Sequence, residues 1–379
     1  MMCDMFGSLH PQLNDQQRRR KRGFLDHPVK SVNLKSDTTI AELVDMMSDM
    51  SIQARNIGQC AKVMHQVYTD PDRPTVILGL AGPLIAAGLR QVIRDLIITK
   101  AVDVIVSTGA IIYQDIYQAR GGSHFKGTPK ADDQVLRELH LDRIYDTYVD
   151  EDKFDEIDEW CGRVADELEP GLYSSRMYIK ELGKRLDDEH SIVAQACTYG
   201  VPIFCPALND SSIGIGLTEH RVRCMNDVRT GVIIDSIRDN VELTQIIVNS
   251  PCTAAFYVAG GVPKNFINDS VVMGYIYKVA KAHRYAIQVS TAVEADGGLS
   301  SSTLKEAVSW GKIDGNARTA MAWVEPSIGL PLIAGHIFAE GLSVQRSRLN
   351  IKYDNSHISS ISHIKHTGSD VRTTNQTLF

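Results

Sequence analysis

What the chain lacks narrows the field first. No two of its seven cysteines are spaced C-x-x-C, and no Cys/His spacing suits zinc, so no metal site is expected. Cys3, Cys60, Cys161, Cys197, Cys205, Cys224 and Cys252 read instead as reduced, mostly buried thiols. No apolar run approaches the ~18 residues needed to cross a bilayer, and the N-terminus has no signal-peptide core, which gives a cytoplasmic reading with no membrane partner. A net charge of −6 lacks the basic excess of a nucleic-acid binder, and the one dense basic run, Arg18 to Arg22, reads as a solvated arm. His65, His124, His140, His190, His220 and His283 show no spacing for a metal or a Ser-His-Asp triad and read as structural or exposed. A G-x-G-x-x-G fingerprint is also missing.

What is present describes an ordinary globular chain of 379 residues with 43% apolar content, enough for a substantial core. Residues 1–37 are a polar arm. Helical spacing begins near Thr39, and Ala54 to Tyr68 continues as a second amphipathic helix. From Pro74, short β-branched runs alternate with helical segments: TVILGL (75–80), VDVIV (102–106), VPIF (201–204), AAFYVA (254–259), AIQVST (286–291) and TAMAWV (319–324). Continuous apolar strands separated by helices imply an α/β class, a doubly wound, mostly parallel Rossmann-like sheet with a helical N-terminal extension. Residues 120–190 interrupt the alternation with a charged stretch of solvated helices and loops, and residues 346–379, with their serines and histidines, read as a polar, flexible tail.

Most of these strands end in small-residue turns, at Gly79–Gly88, Ser107–Ala110, Gly260-Gly261 and Gly297-Gly298. Glycine there lets backbone amides approach phosphate oxygens at helix N-termini, which suits a dinucleotide; tight βα turns need glycine in any case. The segment EADGGLSSSTLKEAVSWGK (294–312) is denser in chemistry than packing requires. Its Lys312 follows Trp310, and an indole wall that excludes water would disfavour the ammonium form and leave a nucleophilic amine. The alternative for Lys312 is a solvated residue closing a helix.

EADGG…STLKEAVSWGKI, together with VPIFCPALNDSSIG, GGVPKNFI and the turn STGA ahead of Asp115, resembles deoxyhypusine synthase over roughly Pro74 to Phe338. The resemblance implies residues 38–345 as one NAD-binding catalytic domain, in a homotetramer with sites at dimer interfaces. It implies that NAD takes a hydride from spermidine and that the 4-aminobutyl part passes to Lys312 as an imine and then to an amine acceptor, before reduction completes the transfer. Carried over residue by residue, Gly82, Thr108, Gly109, Asp210, Gly260, Gly261, Thr291, Ala292 and Gly297 match positions that hold NAD. Glu306 and Trp310 match positions that hold the polyamine, with Asp296 in the adjoining acidic loop.

Several positions depart from the pattern of the family's eukaryotic enzymes. Asn265 stands where those enzymes have a histidine, Ile215 and Leu299 replace acids that bind the amines, and Gln114 replaces an acid of the NAD pocket. These departures leave the acceptor open between a protein lysine and a small diamine such as putrescine, which would give homospermidine. A catalytically inactive NAD-binding or assembly protein on the same fold is the alternative, and an amine dehydrogenase a third class.

Overall fold

The computed structural model describes residues 12–354 and 357–364. The apolar runs assemble one sheet from β1 (Thr75–Leu80), β2 (Val104–Ser107), β3 (Ile203–Phe204), β4 (Thr253–Val258), β5 (His283–Val289) and β6 (Ile313–Ala322). All six pair in parallel, in the order β6-β5-β4-β1-β2-β3. Every position of β1, β2 and β4 is buried, because helices cover both faces, which is why these strands read as unbroken apolar runs. The chain builds outward from β1 through β2 and β3, then crosses back to lay β4, β5 and β6 on the other side. The direction reverses between β1 and β4, and the crevice at their carboxyl ends is where such sheets hold ligands.

Alternate strand residues feed two cores. Val76, Leu78, Phe256 and Val258 face one layer with Ile57, Leu96 and Leu330, whereas Ile77, Val104, Ala255 and Tyr257 face the other with Leu243, Ile267 and Leu304. The second layer carries the helices Gly261–Val272 and Leu304–Ser309, which frame the Lys312 region.

Several elements differ from the sequence reading. A helix spans Ser212–Asn226, soon after the strand VPIF, in a stretch whose sequence shows no helical spacing. Its glycines and weak apolar stripe hide it from periodicity, yet close packing requires them: a Cβ on Gly216 would lie 2.1 Å from the Asp158 carbonyl oxygen. Within 120–190, the charged run is the helix Glu151–Glu167, N-capped by Asp150, with Ile157, Cys161 and Val164 buried on its inner face. The polar arm includes a helix, Asp15–Phe24, closed by a capping box between Asn14 and Gln17 and burying nothing.

The flexible tail expected from 346 is corrected over its described part. Arg348–Asp354 and His357–Ile364 form an antiparallel hairpin. Arg346 is buried and donates to the carbonyls of Pro74 and Lys100 and to Asp103, while Arg348 donates to the carbonyls of Ile97 and Ile98. The histidines expected to be disordered include His357, whose Nδ1 lies 3.0 Å from Gln245 Nε2. Hydrogen-bonded arginines hold this segment together with Leu349, Ile351 and Ile358 on the core, a sparse apolar pattern among serines and histidines that a hydropathy reading passes over. The rest of the tail, and Cys3 at the other end, lie outside the described residues.

Candidate active site

The cofactor candidates all fall on loops at the carboxyl edge. Gly82 follows β1, Thr108 and Gly109 follow β2, Asp210 lies after β3, Gly260 and Gly261 follow β4, and Thr291, Ala292 and Gly297 follow β5. Gly82 has φ of +87° and Gly261 of +64°, backbone that favours glycine. Gly260 is required for a different reason, since a Cβ there would lie 2.5 Å from the Ser300 Cα. Two helices begin at this edge without a side-chain cap, Gly109–Ala119 behind Thr108 and Gly261–Val272 behind Gly260. Their first-turn N–H groups therefore have no side-chain acceptor and are aimed at the crevice, a donor set that fits a phosphate-bearing ligand.

Lys312 enters from the opposite end of the sheet. It immediately precedes β6, and its carbonyl accepts a hydrogen bond from the His283 N–H at 3.1 Å. Its side chain then runs onto the helix Gly261–Val272, where Nζ reaches Asp269 Oδ1 at 3.1 Å and Asn265 Oδ1 at 3.4 Å. Asn265 and Asp269 are one turn apart, and Asn265 Nδ2 donates to Asp269 Oδ2 at 2.8 Å. At 1.5 Å per residue, these contacts lie ~6 to ~12 Å along the helix from Gly261. The Lys312 side chain is 14% exposed, and Nζ lies 5.4 Å from the centroid of the Trp310 ring. Trp310 is itself 66% exposed, so the indole forms one side of an open site in the single chain.

The lysine held out of water is Lys264, a residue not singled out in the sequence. It is 1% exposed, and burial pushes its ammonium down to about 8, with the Glu306 charge opposing that fall and the Lys312 charge adding to it. Its Nζ donates to Gln288 Oε1 at 2.9 Å, to Ser302 Oγ at 3.1 Å and to the Ser302 carbonyl, tying the helix to β5 and the Ser300–Ser302 loop. Its place three residues after a double glycine at a helix start was the available signal. Asp269 was also missed, for want of any feature beyond its spacing of four from Asn265.

The structure thus brings together Asn265, Trp310 and Lys312 and adds Asp269. Glu306 is exposed on the short helix and within electrostatic reach of Lys264. Asp296 is exposed in a single 3-10 turn, Glu294–Asp296. Ile215 and Leu299 are both exposed, whereas Gln114 is buried and its Oε1 accepts from the Ala86 N–H at 3.3 Å, in the turn after β1. Asp115 is a structural hub: fully buried, it accepts from Arg90, from the Ser191 hydroxyl and from the N–H groups of Ile192 and Val193. His220 is satisfied on both ring nitrogens, by Asp166 and by the Val232 N–H, so its grouping with Cys224 is accounted for by packing.

Comparison with known proteins places this geometry in context. The family model for deoxyhypusine synthase matches residues 42–337. The chain is 44% identical over 331 residues to the deoxyhypusine synthase-like protein of Chlorobaculum parvum, covering 86% of this chain and 93% of that one. It is 41% identical over 312 residues to the protein of the same description from Coxiella burnetii, covering 80% and 87%. A solved candidate deoxyhypusine synthase from Entamoeba histolytica shares the fold, with a TM-score of 0.58 at 21% identity over 82% of this chain and 97% of that one. The sheet order, the motif segment ending at Lys312 and these matches agree, and the chain belongs to the deoxyhypusine synthase family.

Proposed function

We propose that the protein is an NAD-dependent transferase that moves the 4-aminobutyl group of spermidine through an imine on Lys312 to an amine acceptor. The observation that carries this reading is the placement of Lys312: a largely shielded amine beside a tryptophan face, a carboxylate and an amide, in a chain of this family. Family membership supplies the reaction class, aminobutyl transfer, and the local chemistry supplies the roles. Lys312 forms the carbon–nitrogen bond to the aminobutyl group and releases the remaining amine. Trp310 packs the alkyl chain and attracts its cationic ends. Glu306, on the helix Leu304–Ser309, and Asp296, in the turn Glu294–Asp296, would offer carboxylates to a polyamine.

NAD would be held at the carboxyl edge by Gly82, Thr108, Gly109, Asp210, Gly260, Gly261, Thr291, Ala292 and Gly297, and when bound it would accept a hydride from the amine and return it to the product imine. The two uncapped helix N-termini support a pyrophosphate there. Ile215 and Trp310 are exposed in the single chain, which supports burial against another subunit in a homotetramer. The acceptor is a primary amine, a protein lysine or a small diamine such as putrescine.

Incubation with NAD and spermidine followed by borohydride tests the reading. A mass adduct on Lys312, absent from Lys312→Ala, is expected. No adduct would leave the second reading, an inactive NAD-binding protein, which Asn265, Ile215 and Leu299 favour. Adding putrescine or a candidate acceptor protein to the same mixture and analysing products identifies the acceptor. Reduced cofactor accumulating in step with turnover would instead indicate an amine dehydrogenase.

A further inference from the structure

Lys312 is not presented as a free amine. Its Nζ is 3.1 Å from Asp269 Oδ1, and Asn265 fixes the other carboxylate oxygen, Oδ2, at 2.8 Å. A nucleophilic amine must be neutral with its lone pair available, whereas a carboxylate at this distance favours the ammonium form. Lys264 on the same helix is turned inward onto Gln288 and Ser302, and Glu306 on the helix Leu304–Ser309 is exposed. Asp269 therefore decides how Lys312 is held in the free protein.

Asp269 also faces outward. Its side chain is 47% exposed and lines a trough of about 440 Å³ whose walls are largely apolar, with Val262, Phe266, Val272, Met273 and Leu299. Asp269 is the one charged residue in that lining. An aliphatic primary ammonium fits this surface, its alkyl chain along the apolar wall and its charged end at the carboxylate. With Oδ2 accepting from Asn265, an incoming ammonium competes with Lys312 for Oδ1.

We propose that Asp269 is an exchangeable counter-ion: it masks Lys312 as an ammonium in the free protein, and an incoming aliphatic ammonium takes its place and unmasks the nucleophile. One cation replaces another at the carboxylate, so the local charge balances, and Lys312 gives its surplus proton to solvent buffer. This rests on the reading of Lys312 as the nucleophile, and it makes activation of the lysine conditional on occupancy by substrate. Asn265, which holds Asp269 in place, is a positioning residue in this scheme.

The test measures the reactivity of Lys312 directly, without cofactor or turnover. The full-length protein is treated at pH 8 with trinitrobenzenesulfonate, which labels only neutral amines, and labelling at Lys312 is followed by peptide mass spectrometry. N,N-dimethylbutylamine, protonated at this pH and forming no stable product with the reagent, serves as the ammonium probe. In the parent, the probe is expected to accelerate Lys312 labelling about fivefold, the scale of a half-exposed ion pair. Asp269→Asn is expected to label about fivefold faster without the probe and to ignore it. Asp269→Glu keeps the carboxylate and should retain both the masking and the response, which separates loss of charge from damage to the fold. Protection of Lys312 by the probe, equal labelling of parent and Asp269→Asn, or no labelling of Lys312 under any condition overturns the proposal. If the probe response appears but spermidine and NAD leave no borohydride adduct, the exchange stands and the transferase reading falls.

Discussion

Replacing Lys264 with methionine should remove a pH dependence of folding that this one buried amine creates. In the folded chain, burial pushes the Lys264 ammonium down to about 8, whereas in the unfolded chain a lysine titrates near ~10.4. Between those values the unfolded chain binds more protons, so folding stability rises with pH, starting near 8 and levelling off above ~10.4. The full gap corresponds to about 3 kcal/mol at 1.36 kcal/mol per tenfold, and linkage places about 2 kcal/mol of it between pH 7 and pH 9.5. Urea unfolding of parent and Lys264→Met, followed by far-UV circular dichroism at fixed protein concentration at both pH values, isolates the term as a difference of differences. Other lysines, tyrosines and thiols titrate in both proteins and cancel. At pH 7 the variant also leaves Gln288 and the Ser302 hydroxyl without their partner, so its absolute stability should fall by about 1–3 kcal/mol even as its pH slope flattens. Equal pH slopes for the two proteins would show that Lys264 is charged at no special cost, and the account of its burial would be refuted.

Asp103 lies between the buried Arg346 guanidinium and the partly buried one of Arg73, with Arg73 Nη1 at 2.8 Å and Arg346 Nη2 at 3.0 Å, and Asp103→Asn should cost about 3–5 kcal/mol in chemical denaturation because both cations lose their counter-ion. Ending the chain after Gln345 should lower the thermal midpoint markedly, since it removes Arg346 and Arg348 and leaves the carbonyls of Pro74, Ile97, Ile98 and Lys100 without those donors; an unchanged melt would restore the view of a dispensable tail. Gly260→Ala should destabilise by about 1–3 kcal/mol, because the new methyl group meets the Ser300 backbone at 2.5 Å, and a limited-proteolysis pattern unaltered around 294–303 would contradict this. His283 is fully buried with Nδ1 2.7 Å from the Thr253 hydroxyl, and burial pushes it down to about 4; the stability this neutral ring carries is present above ~6.5 and lost as pH falls toward 4, so His283→Gln should show a flatter acid limb in the same denaturation assay.

The sequence by itself determined the layered α/β architecture, because a strand buried on both faces must be apolar at every position, and β1, β2 and β4 carry that signature in single uninterrupted runs. It also determined the motif segment that ends at Lys312 and the glycines at the strand ends, since their local backbone demands are written in residue type. Weakly patterned elements stayed illegible. The helix Ser212–Asn226 is built on glycines whose purpose is contact with Asp158 and Asn209, and the hairpin after 346 is held by arginines bonded to carbonyls some 250 residues earlier in the chain. Only the tertiary structure decided which lysine is dehydrated and which is paired. Burial of Lys264 depends on Gln288 and Ser302 closing over it, and masking of Lys312 depends on a helix laying Asp269 across the amino end of β6. Both are properties of distance between segments far apart in the chain, and charge and solvation act through distance in space, which residue order does not encode.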